Sequence, residues 1–241
     1  MTTRLDWPGC GNARDVGGLP TEDGYRIRSG ALVRSDDLCQ LTPAGLAALR
    51  GYGVRRVLDL RGTAELAREP SPLARDPSYR WTPFIDEEAD RQRDPAAEST
   101  ARDTYLGSVE RNARRIVTAL GALADAPPGG VLVHCVEGKD RTGMLVALAL
   151  RVAGVPPAEI AADYAASDER PAFRRELTGL GSDAERAAFR DRYGCHPATI
   201  LAVLDHLEQR YGGVDRYLLH HGLAPGQLAA LRQRLRDESR P

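Results

Sequence analysis

The chain has 241 residues, 42% hydrophobic and 28% charged, an ordinary globular composition with enough length to bury a substantial core. Its 33 basic and 34 acidic residues are interleaved and leave a net charge of −1, which removes the field expected of a nucleic-acid binder or a polybasic membrane protein. No apolar run approaches the ~20 residues of a membrane span, and the four cysteines lack the paired spacing of a metal site or disulfide framework. Met1 to Gly11 holds no apolar stretch of signal type. A cytoplasmic protein is therefore expected, with non-classical secretion left open.

Asn12 to Gly18 ends on two glycines shortly before Pro20 and predicts a loop. Tyr25 to Arg28 and Ala31 to Ser35, joined by a Ser-Gly turn, predict an antiparallel hairpin. Thr42 followed by Pro43 starts a helix that Gly51 to Gly53 ends. Val54 to Arg61 reads as a buried strand that carries Asp59 and Arg61 to its end, followed by a helix over 63–68 and a strand over Tyr79 to Ile85. The acidic, uneven stretch 86–101 reads as a lid or connector.

Tyr105, Val109, Ala113, Ile116, Leu120 and Leu123 share one face of a single long helix predicted over 103–124. Val131 to His134 is a short strand, and Thr142 to Ala153 a helix apolar nearly all round, as suits burial against a sheet. Helices are predicted over 157–167, 182–191, 198–211, 213–221 and 225–237, with a further lid segment at 169–181. This order implies an α/β fold in one domain, a central, mostly parallel sheet flanked by helices, with a helical C-terminal part.

Between that short strand and the buried helix lies His134-Cys135-Val136-Glu137-Gly138-Lys139-Asp140-Arg141-Thr142-Gly143. Lys139 is the only lysine of the chain; the other 32 cationic residues are arginine. A strand, a tight loop and a helix N-terminus bring backbone N–H groups of Val136 to Arg141 round an anion, and Gly138 permits the turn. The same dipoles, with Arg141, favour a thiolate at Cys135, which can attack phosphorus while Arg141 clamps two equatorial oxygens. Thr142 is placed to donate to the sulfur, and His134 to hold the loop. No metal or other cofactor is expected.

The loop resembles the signature of the cysteine-dependent protein tyrosine phosphatases. The likeness extends to Asn12-x-Arg14-Asp15-x-Gly17-Gly18, Arg34-Ser35-Asp36, Asp59-Leu60-Arg61 and Tyr211 to Tyr217, and these together look like the bacterial tyrosine phosphatases of the secreted mycobacterial, phosphoinositide-hydrolysing type. The resemblance implies a tyrosine phosphatase-like fold and a hydrolase of phosphomonoesters that acts through phosphocysteine. A phosphorylated protein, a phosphoinositide or a small phosphomonoester is then the substrate. It makes Cys135 the nucleophile and Arg141 the phosphate binder, and ties Lys139 to phosphoinositide and dual specificity. Asn12, Arg14 and Asp15 become supports beside the loop.

Three carboxylates compete as general acid, Asp140 first, Asp59 second (or as a site organiser) and Asp86 third. Glu137 departs from the small residue usual at its position. If it faces Lys139, it disfavours substrates with several phosphates; the alternative is a solvated surface charge. A metabolite phosphatase and a non-hydrolysing phosphate-binding module are the competing readings. Cys195-His196 and His220-His221 read as helix-end residues rather than metal ligands, since neither has a partner pair.

Overall fold

Val131, Leu132 and Val133 offer apolar side chains to both faces of a strand, so both faces must be covered. In the computed structural model, which describes residues 2–237, this segment is central. The strands are β1 (Thr3–Arg4), β2 (Arg14–Asp15), β3 (Arg26–Ile27), β4 (Leu32–Ser35), β5 (Val54–Asp59), β6 (Tyr79–Trp81), β7 (Gly130–His134) and β8 (Arg236–Asp237). Six of them form one sheet in the order β1-β2-β4-β7-β5-β6. β4, β7, β5 and β6 run parallel, and β2 and β1 continue antiparallel at one edge.

The helices are α1 (Pro43–Gly51), α2 (Thr63–Arg68), α3 (Glu87–Asp90), α4 (Ala101–Arg111), α5 (Ala113–Ala124), α6 (Asp140–Val152), α7 (Pro157–Ala165), α8 (Pro171–Gly179), α9 (Asp183–Tyr193), α10 (Pro197–Tyr211), α11 (Val214–His220) and α12 (Pro225–Leu235). Strand alternation divides the core. Leu132, Val33 and Val57 pack with Leu49 of α1, Trp7 and Leu73 on one face. Val131, Val133, Leu32 and Leu58 meet α5, α6, α10 and α12 on the other. The chain returns through α4 and α5 to insert β7 between β4 and β5, so His134 lies level with both Ser35 and Asp59. The crevice outside these C-terminal strand ends is where open α/β sheets bind ligands.

Four expectations are corrected. Residues 25–28 and 31–35 do not form a hairpin: β3 pairs with β8, which replaces the last turn expected of the final helix. All four residues of β4 are buried, and both its edges are taken, by β2 and β7. Arg14–Asp15, expected in a loop, is a strand. The segments 86–101 and 169–181, expected as loops, hold the helices α3 and α8.

The helix predicted over 103–124 is broken at Asn112, whose φ and ψ of −98° and 13° interrupt it. The buried Asn112 amide explains the break. Its Nδ2 donates to the Ser108 carbonyl and to Ser108 Oγ, both at 3.0 Å, and its Oδ1 accepts the Asp86 N–H at 2.7 Å. The apolar face survives, because Tyr105, Val109, Ala113, Ile116, Leu120 and Leu123 are all buried. Among the described residues no helix is long and apolar enough to cross a membrane. Asn112→Ala should destabilise the fold by about 2 kcal/mol, by orphaning buried groups at the joint. Urea unfolding should show a lower midpoint with an unchanged slope.

Candidate active site

After His134 the chain passes through Cys135 to Lys139 before α6 begins at Asp140. Gly138 has a φ of 65°, and a Cβ there would stand 2.4 Å from the Ser35 carbonyl oxygen, so a side chain is excluded twice. Four successive carbonyls are held from outside the loop. His134 Nδ1 donates to Cys135 O at 3.2 Å, the Asp37 N–H to Val136 O at 2.8 Å, Asn12 Nδ2 to Glu137 O at 2.9 Å and Arg34 Nη2 to Gly138 O at 2.7 Å. Because a trans peptide is planar, a carbonyl drawn one way turns the following N–H the other way. The N–H groups of Val136, Glu137, Gly138 and Lys139 are thereby turned away from these donors and have no protein acceptor among the described residues. Those of Asp140 and Arg141 add the open end of α6. Such an arrangement binds anions.

The holders are themselves fixed by a buried charge cluster. Arg34 Nη1 donates to Asp163 Oδ2 at 2.5 Å, and Arg34 Nη2 also reaches Ser167 Oγ at 3.1 Å. Arg14 donates to Asn12 Oδ1, and at 3.0 Å to both the Asp163 carbonyl and Ser167 Oγ. Asp36 accepts the N–H groups of Gly11 and Asn12, which seats Asn12. Two guanidinium groups share the one Asp163 carboxylate. Burial, with Arg34 close by, lowers Arg14 to about 10 even with Asp163 opposing the shift. Burial alone would raise Asp163, but the charges of Arg34 and Arg14 hold it below the usual carboxylate value.

Arg141 lies on the first turn of α6 and is clamped by Glu65 of α2, Nη1 to Oε2 at 2.6 Å and Nη2 to Oε1 at 2.8 Å. Glu65 is seated in turn by the Gly62 N–H at 2.7 Å. Burial would lower Arg141, but Glu65 and the charges of Cys135 and Asp140 raise it above the ordinary arginine value. Thr142 is buried, and its hydroxyl has no hydrogen-bond partner among the described residues. Asp140 accepts from the Tyr105 hydroxyl through Oδ1, and Lys139 Nζ stands 3.7 Å from the same oxygen.

Comparison with known proteins settles the family. The model of the tyrosine phosphatase family matches residues 5–237. The chain belongs to this family. It is similar to a tyrosine-protein phosphatase of Nostoc commune, 34% identical over 87% of this chain and 75% of that protein. It is also similar to the triple specificity protein phosphatase PtpB of Mycobacterium tuberculosis, 30% identical over 93% of this chain and 96% of the relative. The protein is thus a protein-tyrosine phosphatase-like phosphatase.

The phosphatase brings most of the anticipated residues together, with four departures. Asp59 is fully buried, its carboxylate taken by Arg61 Nε and Nη2, the Arg61 N–H and the Tyr79 hydroxyl. Burial favours its neutral form, but His134 and Arg61 hold it below the usual value. It therefore lacks the proton and the access an acid needs, and suits the organiser role. His134 stands 3.5 Å from it and is pushed below the ordinary histidine value by burial.

Asp15 does not sit beside the loop. Next to Arg14 on one strand, it points to the opposite face, where it accepts from Gly17, Gly30 and the Tyr52 hydroxyl. Asp86 caps α3, accepting the N–H groups of Glu88 and Ala89 at 3.2 Å, and faces Arg115. Glu137 does not hold the Lys139 ammonium: it pairs with Arg170 at 3.2 Å, while Lys139 donates to the Tyr193 carbonyl at 2.9 Å.

Glu65 and Asp163 go unnoticed in the sequence, and Tyr105 is read only as part of the apolar face of a helix. Glu65 had one usable signal, its place three residues after the residue that opens α2, where a glutamate reaches back to the helix start. The carboxylate and sulfur ligand atoms of Asp37, Cys39 and Glu69 converge within 4.8 Å, but the Arg61 guanidinium bonds Asp37, Cys39 and the Glu69 carbonyl and fills the cationic position.

Gly138→Ala should weaken orthophosphate binding by about tenfold or more, because 1–3 kcal/mol of strain would fall on the loop itself; titration calorimetry reads this directly. Asp163 has a folded-state pKa below its unfolded one, so its contribution is complete above about pH 3.9 and is lost as pH falls through the folded value. Asp163→Asn should cost about 3 kcal/mol at neutral pH. Melts against pH should show it losing less additional stability than wild type below about pH 4.

Proposed function

We propose that the phosphatase hydrolyses phosphomonoesters, phosphotyrosine in proteins foremost, through a phosphocysteine intermediate formed at Cys135. The observation that carries this reading is the run of N–H groups from Val136 to Lys139 without a protein acceptor among the described residues, between a buried cysteine and an arginine at the start of α6. These donors, with Arg141, meet the equatorial oxygens and gain strength as charge grows on them in the transition state. Glu65 fixes the orientation of the guanidinium by its bidentate grip.

The Cys135 thiolate forms a bond to phosphorus as the bond to the leaving oxygen breaks, and Asp140 supplies the proton that this oxygen needs. Asp140 is favoured over Asp59 and Asp86 because it is half-exposed and its Oδ2 has no partner among the described residues. Water then attacks phosphorus, returns a proton to Asp140 and releases the thiolate, which the free Thr142 hydroxyl stabilises. Val136, Glu137, Gly138 and Lys139 contribute backbone donors, and His134, Asn12 and Arg14 hold the loop.

Broader specificity, towards phosphoserine, phosphothreonine or phosphoinositides, is a second reading. It is favoured by the likeness to a relative named as a triple specificity phosphatase.

Cys135→Ser should lower turnover of a phosphotyrosine peptide by roughly 10⁴-fold or more yet retain orthophosphate binding, and wild type should stay active in EDTA. Turnover by the variant near the wild-type rate, or loss of wild-type activity in EDTA, would sink the mechanism. Running phosphotyrosine, phosphoserine, phosphoinositide and nucleotide substrates in parallel ranks the specificities.

A further inference from the structure

Asp140 stands at the first position of α6, where a carboxylate is drawn to the open N–H groups of its own helix. In this phosphatase those groups are the anion donors, so a self-capping Asp140 would occupy the phosphate position. The carboxylate is instead drawn aside. Tyr105, buried on α4, donates its hydroxyl to Oδ1, and the buried Tyr164 of α7 stands behind it with the two phenol oxygens 2.8 Å apart. The rings cross edge to face with centroids 6.1 Å apart, which fixes both hydroxyls. Tyr164 is fixed further by Gly143: a Cβ there would come within 2.9 Å of its ring.

Burial and the charge of Asp140 raise Tyr105 well above the ordinary phenol value, and burial raises Tyr164 likewise. Both therefore remain protonated, and the proton between them and the carboxylate points one way, from Tyr164 to Tyr105 to Oδ1. That leaves Oδ2 as the one oxygen of Asp140 without a partner among the described residues.

We infer that Tyr105, backed by Tyr164, is a positioning residue that keeps Asp140 off the loop donors and presents Oδ2 to the substrate. The inference rests on the reading of Asp140 as the proton donor, and the test separates the two. Purified wild type, Tyr105→Phe, Asp140→Ala, the double variant and Tyr164→Phe are assayed on aryl phosphates whose leaving groups span weak to strong basicity.

Tyr105→Phe should lower kcat about tenfold on the most basic leaving group and less on the least basic, the size of a hydrogen bond to a charged group. KM should rise as well, because a released Asp140 carboxylate competes with the substrate phosphate for the loop donors. In the Asp140→Ala background the same substitution should cost nothing further. Tyr164→Phe, which keeps the Tyr105 to Asp140 bond, should lose less than Tyr105→Phe. Equal losses from Tyr105→Phe in both backgrounds would overturn the inference and mark Tyr105 as packing alone. If Asp140→Ala shows no leaving-group dependence but the coupling persists, the acid role fails and the positioning role stands.

Discussion

Turning four consecutive carbonyls away from one point is the constraint on which this active site depends. A loop left to itself would satisfy its N–H groups within the chain or with water, and each carbonyl drawn outward needs a donor from elsewhere. The protein supplies an imidazole, a backbone N–H, a carboxamide and a guanidinium, from His134, Asp37, Asn12 and Arg34. The loop N–H groups are thus left open by the fold itself, and in the proposed function an anion entering them requires little reorganisation.

This arrangement brings charge into the interior. Arg34 has no exposed surface, Arg14 is 6% exposed, and both lean on Asp163, itself 4% exposed. A buried ion pair is at best weakly stabilising for a fold, while removal of one partner is costly. The cluster is better understood as the cost of holding the loop. It joins β2, β4 and α7 to the loop, so the position of the anion donors depends on packing across the molecule. Glu65 and Tyr105 do the same for the two side chains at the mouth, Arg141 from α2 and Asp140 from α4.

Much of the sheet is legible in the sequence, because residues 131–133 carry the two-sided apolar pattern of buried parallel strands. The loop is legible for a related reason: cysteine, glycine and arginine must occur at fixed short spacing for the cradle to close. The hairpin expected over 25–35 does not form; a Ser-Gly turn between alternating segments looks the same whether the strands pair with each other or with distant partners. The break at Asn112 is not legible in the sequence because the apolar period runs straight through it, and its cause is the amide bonds to Ser108 and to the Asp86 N–H.

The sequence by itself determined that Cys135 and Arg141 stand at the two ends of one tight strand-to-helix loop, since their spacing is set by a few peptide units and by the helix that follows. It also determined that the strands would be sandwiched between two apolar layers. Only the tertiary structure decided which side chains complete the site. Glu65 lies 76 residues before Arg141, Asn12 125 residues before Glu137, and Tyr105 35 before Asp140. Their meeting depends on the order in which β7 enters the sheet and on how α4, α6 and α7 pack. The same packing assigned Asp59 to Arg61 and Glu137 to Arg170, because a carboxylate's role follows from the cation and the solvent it faces.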